Sequence, residues 1–62
     1  MNERDHERIA KAIHDYFAHE VAMLVCLARR DAMDADKLRA VVGETLKERD
    51  EALELLALLM KP

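Results

Sequence analysis

A chain of 62 residues allows one domain at most and is too short to bury a large core alone. Ala, Glu, Lys, Leu and Arg supply 36 of those residues, the composition of long helices, and no run alternates with the period of two that a half-buried strand needs. The net charge is −3, with 5 basic and 6 acidic groups in residues 1–33 against 5 and 7 in residues 34–62, so neither half has the basic excess of a nucleic-acid binder.

The first helix is expected from about residue 3 to residue 30. Asn2 suits its N-cap, Glu3 and Asp5 its first turn, and Arg29 and Arg30 its last, where the helix dipole favours each sign of charge. At about 100° per residue, one apolar face collects Ile9, Ile13, Tyr16, Phe17, Val21, Leu24, Leu27 and Ala28. Glu20 falls in the middle of it. A second apolar strip, Ala18, Ala22, Val25 and Cys26, lies on the other side among Lys11, His14, Asp15 and Arg29. From Val21 to Ala28 the helix is apolar all round, as a helix buried on more than one side should be. That stretch is far short of the roughly 20 residues of a membrane span, and the charged N-terminus does not read as a signal peptide. A cytoplasmic protein is expected.

A short link follows at residues 31–34, without Gly or Pro, and Asp34 can cap the next helix. The second helix is expected from about residue 35 to Met60 or Lys61, interrupted by Gly43 at a cost of about 1 kcal/mol relative to Ala. Its apolar face is made by Leu38, Val41, Val42, Leu46, Leu53, Leu56, Leu59 and Met60, with Arg49 in the middle. Leu55 and Leu58 break out of that arc. Glu44, Glu48, Glu51 and Glu54 form an acidic outer face, whose ordinary role is solvation.

If the chain folds back near Met33–Asp34, residues whose numbers sum to about 67–69 lie side by side. Glu20 and Arg49 then meet as an ion pair inside an all-α antiparallel hairpin, or pair between two chains. Such a pair serves specificity of register or partner more than stability. The core is expected to include Ile13, Phe17, Leu24, Leu53 and Leu56. Two helices alone cannot close a core, and Cys26, the only cysteine, allows no internal disulfide. Association into a homodimeric four-helix bundle is the expected source of stability.

The sequence offers little chemistry. Glu3 and His6 have the spacing of a carboxylate–histidine metal motif, but no second copy exists in the other helix. Asp15 and His19 read as a surface pair. Cys26, beside Val25 and Leu27, reads as a small buried hydrophobe. No nucleophile, base and oxyanion donor converge, and no Gly-rich phosphate loop is present. No catalytic activity, cofactor or bound metal is expected.

The length, the two equal helices and the Asp34-Ala35-Asp36 link resemble the Rop family of RNA-binding proteins. That resemblance implies an antiparallel four-helix bundle dimer that binds RNA loops through the outer face of its first helix. Here that outer face is mixed in charge. The leading expectation is a small regulator or adaptor that binds another protein, as an inhibitor or antagonist does. Helical hairpins of this sort occur among small bacterial or phage-borne antagonists, an analogy of architecture only. The expected partner surface is Lys11, His14, Ala18, Ala22, Val25, Cys26 and Arg29. The expected partners are a second copy of the chain and another protein, with RNA the alternative and no membrane.

Overall fold

The computed structural model describes residues 2–60. Helix α1 runs Glu3–Arg30 and helix α2 runs Ala35–Met60, and the two pack against each other as an antiparallel hairpin. The extension of the second helix to Lys61 lies outside the described residues.

Local chemistry sets the helix ends. Asn2 is extended, and its Oδ1 accepts a hydrogen bond of 2.8 Å from the Asp5 amide, satisfying one donor of the first turn. Asp34 Oδ1 accepts from the Asp36 amide at 3.3 Å, and Asp36 adds an acid to the first turn of α2. At the end of α1 the Asp31 amide donates to Leu27 O and the Met33 amide to Ala28 O, both at 2.9 Å. This cap requires a left-handed residue just past the helix, a place usually held by Gly. Ala32 holds it here with φ 51°. Met33 folds back half-buried, and Ala28, whose carbonyl receives its amide, is one of two buried residues. The four-residue link can thus reverse the chain without Gly or Pro.

The buried and half-buried positions show how the helices mesh. They recur with three- and four-residue steps at His6, Ala10, Ile13, Phe17, Glu20/Val21, Leu24 and Ala28 on α1. On α2 they recur at Leu38, Val41/Val42, Thr45/Leu46, Arg49, Ala52/Leu53, Leu56 and Met60. This is the spacing of helices crossing at a shallow angle. Matched in order from the turn, the layers run from Ala28 with Leu38 to His6 with Met60. Numbers across a layer then sum to about 65–67, at or just below the value the sequence suggested. In this register Phe17 lies level with Arg49, and Glu20 lies level with Thr45. The Thr45 hydroxyl is satisfied within α2, donating to Val41 O at 3.2 Å.

The core is thin. Only Ala28 and Leu56 are buried, each still 4% exposed, among the described residues. Ile13, Phe17, Leu24 and Leu53 are half-buried. The hairpin measures 47 × 16 × 8 Å, a slab one helix thick. A stable domain buries its apolar faces between two layers, and a single layer has none to enclose.

Candidate interaction surfaces

Glu20 and Arg49 do not form the ion pair expected within the hairpin. Both are half-buried, but the Arg49 guanidinium turns to its chain neighbour Asp50, with Nη2 3.1 Å from Oδ1. Two causes act together. The register sets Arg49 one layer from Glu20. Glu20 also stands at the edge of the contact stripe of α1, while Asp50 draws the guanidinium toward the opposite flank of α2. Among the described residues Glu20 has no cation within ion-pair distance. The Arg30–Asp31 and Arg39–Asp36 pairs, at 3.6 and 3.4 Å, are exposed and contribute little.

The strip expected as the partner surface is on the outside of α1. Lys11, His14, Ala18, Ala22, Cys26 and Arg29 are exposed, and Val25 is half-buried. The exposure of Cys26 corrects its reading as a buried hydrophobe, and Ala22, Met23 and Leu27 are also exposed, so the Val21–Ala28 stretch is not enclosed on all sides. The cause is simple: α2 covers one side of α1, and the hairpin has nothing else to cover the rest. Ala18 and Ala22, one turn apart, leave a smooth strip where another backbone could approach closely.

The largest bare apolar residues lie elsewhere: Ile9, Tyr16, Leu27 and Leu59 come from the expected apolar faces, Leu55 and Leu58 from the positions that break out of the arc, and Met23 from neither. On α1 they are Ile9 (39% exposed), Tyr16 (60%), Met23 (49%) and Leu27 (40%). At about 100° per residue these four fall within about 40° of one another. They flank the stripe that touches α2. On α2 the corresponding residues are Leu55 (63%) and Leu59 (66%), with Leu58 set apart toward the back. Seen from one end, antiparallel right-handed helices turn in opposite senses, so the Ile9–Leu27 flank of α1 and the Leu55–Leu59 flank of α2 share one broad face of the slab. Glu20 stands at the border between that face and the contact stripe.

An open groove runs along part of this face, lined by Asp5, Arg8, Ile9, Ala12, Ile13, Tyr16 and Phe17. Tyr16 and Phe17 meet edge to face, ring centres 5.0 Å apart at 86°, so Phe17 braces Tyr16 while leaving it largely exposed. The signal for this face was in the sequence. The apolar arc of α1 is wider than one neighbouring helix can cover, and Tyr16 and Phe17, adjacent in sequence, cannot both face α2.

His6 is half-buried, and His14 and His19 are exposed. No group of three or more His, Cys, Asp or Glu side chains converges to hold a metal ion among the described residues. No described helix is long and apolar enough to cross a membrane. Glu44, Glu48, Glu51 and Glu54 are all exposed, as are Arg4, Arg8, Lys11 and Arg29. No protein-family model, curated protein or solved structure matches the chain.

Proposed function

We propose that this protein acts by association: a small non-enzymatic regulator or adaptor that works as a homodimer and binds another protein through a helical face. One observation carries the reading. More than half of the residues are hydrophobic, yet the hairpin encloses only Ala28 and Leu56 and leaves seven large apolar side chains exposed. Apolar patches of that extent on a small protein mark interaction surfaces. The slab has two uses for them, because covering one face with a second copy still leaves the outer strip of α1 open. That strip, Lys11, His14, Ala18, Ala22, Val25, Cys26 and Arg29, is the surface for the second protein: a smooth apolar centre with a rim of mixed charge, where Lys11 and Arg29 stand beside Asp15. A partner seated there reaches the α1 backbone over Ala18 and Ala22 and presents acidic groups to Lys11 and Arg29.

The test is a photo-crosslinking residue at Ala22, used to capture the partner, followed by affinity measurement with both proteins purified. Ala18→Arg should weaken binding about 100-fold or more by blocking close approach, and raising salt should weaken it only slightly. Binding unaffected by Ala18→Arg would refute the assignment of the strip. If RNA bound instead, with an affinity falling steeply with salt, the protein would belong with nucleic-acid-binding bundles.

A further inference from the structure

The geometry points to the face that a second copy of this chain covers: Ile9, Tyr16, Met23 and Leu27 of α1 with Leu55 and Leu59 of α2. The inference rests on the homodimer proposed above and names its seam. The accessible surface of the chain is 5124 Å². A compact protein of 7.1 kDa is expected to expose about 4,100 Å². A compact pair of such chains is expected to expose about 6,800 Å², so two hairpins of 5124 Å² each would together cover roughly 3,500 Å², within the range of about 2,000–5,000 Å² for obligate homodimers.

The distribution of exposed residues selects which face. Of the seven large exposed hydrophobics, all but Leu58 lie on this one side. On the other broad side Val21, Val25, Leu46 and Leu53 are already half-buried by the hairpin itself. Two such slabs joined by their bare sides give four helices around one core, with the Ala18–Ala22–Cys26 strip left outward on each copy.

The charges agree with this arrangement. Glu20, half-buried at the border of the face with no cation within ion-pair distance among the described residues, becomes enclosed when a second copy docks. An enclosed carboxylate needs a cation. Arg49 is turned to exposed Asp50 on the other flank of α2, so meeting Glu20 in the dimer requires it to leave Asp50 and swing round.

The experiment is light scattering over a dilution series for the wild type, Tyr16→Glu, Met23→Lys and Ala22→Glu, with helix content followed by circular dichroism. The expected result is a mass of two chains for the wild type and for Ala22→Glu. Tyr16→Glu and Met23→Lys should dissociate at concentrations at least about 30-fold higher, since each buries an unpaired charge in the seam. Met23→Lys keeps the test decisive if Tyr16→Glu fails to fold. A wild-type mass of one chain would overturn the homodimer itself. A two-chain mass that survives both face variants and is lost in Ala22→Glu would overturn only the choice of face.

Discussion

Leu56 and Leu59 are one helical turn apart on α2, and they report on different neighbours. Leu56 is 4% exposed and is covered by α1. Leu59 is 66% exposed, so only about a third of it is covered by the hairpin. Replacing Leu56 by Ala removes the largest buried side chain among the described residues and should cost about 2–3 kcal/mol. In a lone hairpin Leu59→Ala would cost little, about 0.5 kcal/mol, because most of the side chain never left water. If a second copy covers the face, the rest of Leu59 is buried too. The loss then rises to about 2 kcal/mol per chain, and the dimer suffers it twice. Urea unfolding followed by far-UV circular dichroism, at two protein concentrations about 100-fold apart, separates the cases, because only an associating protein has a midpoint that moves with concentration. The expected outcome is a midpoint that rises with concentration, and a Leu59→Ala variant as impaired as Leu56→Ala. A concentration-independent midpoint, with Leu59→Ala within about 0.5 kcal/mol of wild type, would refute the argument that the bare face is an interface.

Three further outcomes test the hairpin itself. Ala32 holds a left-handed backbone with φ 51°; Ala32→Gly should raise stability by about 0.5–1 kcal/mol, seen as a higher urea midpoint, the relief of strain exceeding the extra freedom of the unfolded chain. A Cβ placed on Gly43 would meet nothing within 4 Å, so Gly43→Ala should stabilise by about 0.5–1 kcal/mol in thermal unfolding. A loss of stability would mean that another backbone approaches there. Asn2→Ala removes the 2.8 Å cap bond to the Asp5 amide and should cost about 1 kcal/mol, with faster amide hydrogen exchange confined to the first turn of α1.

Much of the architecture was legible because its signals are local. Asn2 and Asp34 show themselves as caps by residue type and position, and each accepts the amide bond that a cap should. The turn was less legible. Nothing in Asp31-Ala32-Met33 announces a left-handed residue, since Gly and Asn are the usual markers and Ala is tolerated only because the carbonyls of Leu27 and Ala28 are satisfied by the conformation. Within the hairpin Glu20 and Arg49 do not pair, for a related reason. Register depends on how tightly the turn closes, and an error of one layer is enough to separate two side chains that a helical wheel draws face to face. Arg49 then takes the nearest acid, Asp50, which a pattern of apolar residues cannot foresee.

The candidate surface was harder to read because periodicity gives the width of an apolar arc without saying how many neighbours share it. On α1 the apolar and half-buried positions from Met23 round to Val25 span roughly 200° at about 100° per residue. One packed helix covers an arc of about 100°. Phe17, Leu24 and Ala28 fall in the half that α2 covers, and Tyr16, Ile9 and Leu27 fall in the half it leaves bare. All six look alike from sequence. The surplus arc is the observation behind the proposed homodimer: α1 is apolar over about twice the width that α2 covers, and Ile9, Tyr16 and Leu27 are what a second copy would cover.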